Sequence, residues 1–185
     1  MGTVTNMDNF TDLINSNNYS QTSFFPKGSI LQGKGDTVSK AYIVKRGLLR
    51  SYAIDEKGKE HVFMFAPENW ILSDIEGHAM ESPAELFIDA VEDTQVIIFD
   101  RNHFDVPQLS KEQLQSQFLL LIRRAAVLQQ RIIMLMSSPA SKRYEHFLEI
   151  YPDIATRVPQ RMIASYLGIT PEALSKIRGD LSKKK

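Results

Sequence analysis

The sequence predicts an α+β protein, in which an N-terminal β jelly roll is followed by a long helix and a C-terminal helix-turn-helix. Three observations support this fold class. Short β-type runs separated by turn glycines occupy residues 27–100. After Pro107 the spacing of the apolar residues changes from strand-like to helical. Two short helical patterns on either side of Gly168 end the chain.

The first domain, residues 1–107, is predicted to be the β roll. Runs such as AYIVKRGLLRSYAI, HVFMFA and AVEDTQVIIFD combine β-branched and aromatic residues with short polar interruptions. Turn glycines separate these runs, at Gly28, Gly33, Gly35, Gly47 and Gly58. Many short strands joined by tight turns are typical of a sandwich or a jelly roll.

Residues 108–137 are predicted to form one long helix that pairs two subunits. Its apolar residues recur at alternating steps of four and three over about three heptads. This seam consists of Leu114, Phe118, Leu121, Ala125, Leu128, Ile132 and Leu135. A helix of this length exceeds what a small β domain needs to cover one face, so we favour a parallel homodimer over a helix lying wholly on its own subunit. Ser137, Ser138 and Pro139 are expected to end the helix and to act as a hinge.

The last domain, residues 138–185, carries the helix-turn-helix pattern. Ile163, Ala164 and Leu167 share one face of the first short helix, and Leu174, Ile177 and Leu181 share one face of the second. Gly168 tolerates the positive φ that a sharp turn between helices needs. The second helix begins with a hydroxyl N-cap, a proline and a carboxylate, at Thr170, Pro171 and Glu172.

The outward face of this second helix has the composition of a DNA-reading surface. Glu172 could accept a hydrogen bond from a cytosine amino group and Lys176 could donate to guanine, whereas Thr170 and Arg178 suit phosphate contacts. The candidate DNA-binding residues are Gln160, Thr170, Pro171, Glu172, Ser175, Lys176 and Arg178. The alternative interpretation is a small helical hairpin with a solvated face.

Composition and charge agree with a cytoplasmic DNA-binding protein. The hydrophobic and charged fractions, 43% and 24%, are those of a globular chain, and neither a signal peptide nor a membrane segment is visible. The net charge is zero, yet residues 138–185 contain 9 Lys and Arg against 5 Asp and Glu. The absence of cysteine excludes disulfides, iron–sulfur clusters and thiolate zinc sites, and the four histidines form no close pair. We therefore expect no metal and no cofactor.

The order of these parts resembles the Crp/Fnr family of bacterial transcription regulators, whose first domain is cyclic-nucleotide-binding-like. The segment YIVKRGLLRSYAIDEKGKE at 42–60 looks like the family's central strands, and FAPENWI at 65–71 resembles the approach to its ligand pocket. The helix-turn-helix pattern of the family is matched at Gln160, Ile163, Ala164, Leu167, Gly168, Thr170, Glu172, Leu174, Lys176 and Ile177. The resemblance implies a homodimer on a near-palindromic operator in double-stranded DNA, with RNA polymerase as a further partner.

The segment that aligns with the family's phosphate cassette departs from the family pattern. Members that bind cyclic nucleotides carry a Gly-Glu pair after the aromatic-Ile step and an Arg followed by Ser or Thr further on. Here Leu72-Ser73 and Ala84-Glu85 take those positions, so a cyclic phosphate would lose its cationic partner and meet a carboxylate. We therefore expect no control by cyclic AMP through the usual contacts. The pocket is then expected either to hold another, unidentified small-molecule effector or to be filled by its own side chains. Candidate contacts for such an effector are Trp70, Ser73, Glu76, His78 and Glu85.

Two other classes of function are alternatives to a DNA-binding regulator. One is a small-molecule-binding or interaction module without DNA binding. The other is a cupin-like metal enzyme, which would need several convergent imidazoles, and the chain has no His-x-His step. No catalytic residue is assigned, and we expect the protein not to be an enzyme.

Overall fold

A computed structural model of the protein describes residues 22–38, 40–99 and 110–183. These residues form an antiparallel β domain followed by helices, so the predicted α+β class is confirmed. The described residues contain eight strands: β1 (Thr22–Phe25), β2 (Ile30–Gln32), β3 (Ala41–Arg46), β4 (Leu49–Ile54), β5 (Glu60–Ala66), β6 (Ile71–Ser73), β7 (Phe87–Ala90) and β8 (Thr94–Phe99). They also contain six helices: α1 (Ile75–Met80), α2 (Lys111–Ser137), α3 (Ala140–Ile150), α4 (Ile154–Arg157), α5 (Gln160–Leu167) and α6 (Pro171–Ser182).

The strands form two four-stranded sheets, in the orders β1-β8-β3-β6 and β2-β7-β4-β5. Adjacent strands such as β3 and β8 run antiparallel, with Tyr42 opposite Ile98. Side chains from both sheets share a buried core, because alternate residues of each strand point to the same face. This core consists of Tyr42, Val44, Leu49, Ala66, Leu72, Ile88, Ala90 and Val96. The predicted β roll is thus present.

The turn between β3 and β4 requires glycine. Gly47 has a φ of 99°, and a Cβ there would lie 2.6 Å from the Asp93 carbonyl oxygen. Its N–H donates to the Glu68 carboxylate at 2.9 Å. A side chain at this position would meet both a strained backbone and a steric clash.

The long helix α2 ends at Ser137, as predicted from Ser138 and Pro139. Only these two residues separate α2 from α3, a helix that the apolar spacing had not indicated. Helix α3 buries Tyr144 and Phe147, and the Phe147 ring packs near the rings of Tyr151 and Tyr166. An aromatic cluster thus forms the core of the helical part.

The described residues fall into two compact units, one within residues 1–59 and 63–117 and the other within residues 60–62 and 118–185. The domain limits expected from the sequence, at 107/108 and 137/138, stay predictions. Among the described residues, none of the helices combines the length and apolar character that crossing a bilayer requires.

Candidate nucleic-acid interface

Helices α5 and α6 are joined by a tight turn at Gly168. This glycine has φ 66° and ψ 37°, the left-handed conformation predicted for it. Its N–H donates to the Ser165 carbonyl at 3.1 Å, and the Ile169 N–H donates to the Ala164 carbonyl at 3.0 Å. These two bonds end α5 and redirect the chain at once into the next helix.

The apolar faces predicted for the two helices are the faces that the structure buries. Ile163, Ala164 and Leu167 of α5 and Leu174 of α6 are fully buried. Ile177 and Leu181, one and two turns beyond Leu174, are half-buried. The two helices therefore pack through one continuous apolar interface, which leaves the opposite face of α6 in solvent.

The start of α6 follows the capping pattern expected from the sequence. The Thr170 hydroxyl accepts the Ala173 N–H at 3.2 Å, and Pro171 occupies the first turn. The pKa of Glu172 is lowered by a hydrogen bond from its own backbone N–H and by one from the Thr170 hydroxyl. Glu172 thus remains a carboxylate, an acceptor, at neutral pH.

Solvent reaches the whole candidate DNA-binding set. Exposed residues on α6 and at the ends of the two helices are Gln160, Thr170, Pro171, Glu172, Ser175, Lys176 and Arg178. Gly179 lies one turn beyond Ser175 and Lys176, and a Cβ there would meet no atom within 4 Å. The surface therefore combines a carboxylate, two cationic side chains, hydroxyl groups and the glycine at position 179.

The predicted seam of α2 is also largely in solvent. Phe118 and Leu121 are 63% and 62% exposed. Leu114, Ala125, Ile132 and Leu135 are exposed as well, and Leu128 is half-buried. Four further apolar side chains beside the seam, Leu119, Ile122, Ile133 and Met136, are exposed. The use of this exposed apolar surface as a dimer contact stays a prediction.

The predicted effector residues lie in and beside the segment from β6 to β7. Trp70 is partly buried against the core of the roll, and Ser73 ends β6. Glu76 is exposed, and the exposed Glu85 carboxylate pairs with the Lys34 ammonium at 2.7 Å. The side chain of His78 lies outside the described residues. The other four side chains lie in different surroundings, and that they form one effector site stays a prediction.

A carboxylate that sequence reasoning missed organises this segment. Asp74 is 2% exposed, and its two oxygens accept three backbone N–H groups. The donors are Gly77 at 3.2 Å, Glu85 at 2.8 Å and Leu86 at 2.9 Å. Glu85 is one of the two residues aligned with the Arg-Ser pair of nucleotide-binding proteins, so its amide already serves an internal anion. An aspartate directly before a short helix was the signal that could have indicated this cap.

The described part of the chain contains no group of three or more His, Cys, Asp or Glu side chains that could hold a metal ion.

Comparison with known proteins gives concordant results. Residues 22–106 match the family described as "Cyclic nucleotide-binding domain". The chain is 24% identical over 172 residues to the electron transport regulator A of Shewanella oneidensis, covering 85% of this chain and 67% of that protein. The chain thus spans about two thirds of the length of the curated relatives that it matches.

Solved structures share the fold. FixK2 from Bradyrhizobium japonicum superposes with a TM-score of 0.76 at 19% identity, covering 89% of this chain and 85% of FixK2. A transcriptional regulator of the CRP/FNR family from Thermus thermophilus gives a TM-score of 0.65 at 19% identity, with 89% and 87% covered. This chain therefore has the same fold as these two proteins.

Proposed function

We propose that this chain is a homodimeric, sequence-specific DNA-binding transcription regulator of the Crp/Fnr type. The observation that carries the proposal is the exposed polar face of α6, on a helix whose opposite face is buried against α5. A capped, rigid helix with a free polar side is what readout in a major groove requires. The names of the matched relatives, among them an electron transport regulator and an anaerobic regulatory protein, support the same class.

In this proposal, residues near the start of α6 contact the bases. The ionised Glu172 accepts from a cytosine amino group, and Lys176 donates to guanine O6 or N7. Thr170 and Arg178 contact phosphates and set the register, with Gln160, Pro171 and Ser175 on the same surface. The carboxylate of Glu172 would repel phosphates, so it discriminates between sequences rather than adding general affinity.

Dimerisation through α2 places two reading helices on one duplex. The exposed seam from Leu114 to Leu135 is covered by the same seam of a second copy, in register with it. The operator is a near-palindrome whose half-sites lie about one helical turn apart. RNA polymerase is a further partner in this proposal, and the protein acts in the cytoplasm, where its DNA is.

Control by cyclic AMP through the usual contacts is not part of the proposed function. The bonds from the Glu85 and Leu86 amides to Asp74 support this, because a second anion at these amides would face the buried carboxylate of Asp74. An effector, if one acts, is a different small molecule bound near Trp70 and Ser73. Such a ligand changes DNA binding only through a difference in affinity between two arrangements of the subunits.

The test is selection of duplexes from a random library by the purified protein, with and without cyclic AMP. The expected result is one palindrome, recovered equally in both conditions. Glu172→Ala and Lys176→Ala should relax base preference at single positions, whereas Arg178→Ala should weaken binding to all sequences alike. Lys142→Ala removes an exposed lysine of α3 that pairs with Glu145, and is the matched control for charge.

Three results would contradict parts of the proposal. Enrichment only in the presence of cyclic AMP would overturn the account of Asp74. Equal weakening on every sequence by all three α6 variants would overturn the division of roles. Absence of enrichment, together with the absence of salt-dependent binding to any duplex, would favour a small-molecule-binding or interaction module without DNA binding.

A further inference from the structure

The last four carbonyl groups of α5 all have hydrogen-bond donors. Ala164 and Ser165 carbonyls accept the N–H groups of the turn itself, from Ile169 and Gly168. The remaining two carbonyls, those of Tyr166 and Leu167, accept from arginine side chains on other helices. The C-terminal carbonyls of a helix lack partners within the helix, so these arginines complete its end.

Arg131 of α2 provides the first of these contacts. Its Nη2 donates to the Tyr166 carbonyl at 3.2 Å, and its Cζ lies 3.9 Å from the centroid of the Tyr166 ring. Tyr166 is only 5% exposed, so the guanidinium stacks on a ring that is largely removed from water. The Arg131 guanidinium is therefore stabilised both by the Tyr166 ring and by the negative end of the α5 helix dipole.

Arg143 of α3 provides the second contact. Its Nη1 donates to the Leu167 carbonyl at 2.6 Å. The same nitrogen would lie 3.4 Å from a Cβ at Gly168, which places the guanidinium directly against the turn. Two helices outside the helix-turn-helix thus hold consecutive residues immediately before that turn.

We propose that Arg131 and Arg143 are positioning residues, which fix the turn before the reading helix relative to α2 and α3. The inference rests on the proposed function and adds the route by which the dimer helix orients α6. Arg131 lies next to Ile132 and one turn after Leu128, both of which belong to the dimer seam. A change in how the two seams pack therefore reaches the Gly168 turn through the Arg131 guanidinium, and also through the seam residue Leu135, whose Cδ2 would lie 3.8 Å from a Cβ at Gly168. The reading helix α6 follows directly after that turn.

The contact chemistry determines which substitutions are informative. Arg131→Lys keeps the charge but loses the planar stack and the fixed donor geometry. Tyr166→Phe keeps the ring under the guanidinium, whereas Tyr166→Leu removes it. Because Tyr166 also packs near Phe147 and Tyr151, Tyr166→Leu disturbs the aromatic cluster, and Arg131→Lys supplies a variant that leaves this cluster intact.

The distance between α2 and α6 can be measured directly, because the chain has no cysteine. Gln130 on α2 and Ser182 at the end of α6 are exposed. The substitutions Gln130→Cys and Ser182→Cys, made in one chain, provide the two sites for spin labels. Dilution with unlabelled protein confines the measured distance to a single chain. The readout is the width of the distance distribution in the absence of DNA, and it does not depend on DNA binding or on dimerisation.

We expect a narrow distribution in the parent protein, in Tyr166→Phe and in Lys142→Gln, the matched loss of an exposed charge on α3. Arg131→Lys and Arg143→Gln should broaden the distribution while circular dichroism shows an unchanged helix content. Tyr166→Leu should broaden it as well. Affinity for the selected operator should fall about tenfold in these variants, with little change on random DNA, because non-specific binding depends on charge rather than on orientation.

Narrow distributions in all variants would overturn the inference, as would broad distributions with unaltered operator affinity. If the parent protein selected no operator but the distances changed as expected, the positioning role would stand and the proposed DNA function would fail.

Discussion

The carboxylate of Asp74 accepts the backbone N–H of Glu85 at 2.8 Å, across eleven residues of chain. Together with the bonds to Gly77 and Leu86, it joins the start of α1 to the segment that leads into β7. A buried charge of this kind is tolerated only because several donors replace its lost water. The segment between β6 and β7 is therefore held in place by the side chain of Asp74.

Asp74→Asn should destabilise the β roll by about 2 kcal/mol, because the amide offers one acceptor oxygen in place of two and hydrogen bonds to charged groups are the stronger ones. Urea unfolding followed by tryptophan fluorescence measures the change at Trp70. Asp153→Asn is the control, since Asp153 is exposed at the start of α4 and makes no side-chain cap bond. Equal stabilities for the two variants would show that Asp74 does not organise the loop.

Leu121→Glu combined with Leu128→Glu should give monomers that no longer bind the operator, because four carboxylates would face one another across a dimer seam. Sedimentation or size-exclusion chromatography reports the oligomeric state. Gln130→Glu, on an exposed position of the same helix, should leave the dimer unchanged. A dimer that survives the double substitution would reject the seam.

Gly179→Ala should separate folding from DNA contact. The new methyl group meets open space, and alanine is favoured over glycine inside a helix, so the free energy of unfolding should rise by about 0.5–1 kcal/mol. Operator affinity should nevertheless fall several-fold, since Gly179 shares its face with Ser175 and Lys176 and the methyl would intrude between helix and duplex. Thermal unfolding and titration with labelled operator give the two quantities. A variant that is more stable and binds as tightly as the parent would place Gly179 outside the interface.

The raised pKa of Tyr42 should make the free energy of unfolding of the β roll fall at high pH. Tyr42 is 2% exposed and its hydroxyl donates to the Leu31 carbonyl at 2.9 Å. Burial, with a smaller contribution from Asp36, raises its pKa to about 12. Between pH 10 and 12 the unfolded chain releases this proton and the folded chain retains it, so the free energy of unfolding falls by up to about 1.4 kcal/mol per pH unit.

Tyr42→Phe provides the matching measurement for this pH effect. At pH 7 it should be less stable by about 1 kcal/mol, because it lacks the hydrogen bond to Leu31. The stability difference from the parent should shrink as the pH rises above 10 and then change sign. Urea unfolding of both proteins from pH 8 to pH 11.5 tests this, and a constant difference would rule out the proton linkage.

The local features of the helix-turn-helix could be predicted because each depends on neighbouring residues. Gly168 and Thr170 signal a turn and a cap through their own backbone and side-chain preferences, and the end of α2 follows from Pro139. The buried faces of α5 and α6 follow from apolar residues at helical spacing. The same spacing indicated the apolar seam of α2, whose side chains are largely exposed. That this seam pairs two subunits stays a prediction.

The sequence by itself therefore determined the class of fold, the end of α2, the turn and cap of the helix-turn-helix, and which sides of α5 and α6 are apolar, since short-range spacing encodes these properties. Only the tertiary structure decided which groups meet across the chain. Asp74 reaches Glu85 and Leu86, and Arg131 reaches Tyr166, 35 residues away, because sheet pairing and helix packing bring these segments together. An aspartate or an arginine has the same local pattern whether it faces water or a buried amide or ring, so its partner is defined only once the chain has folded.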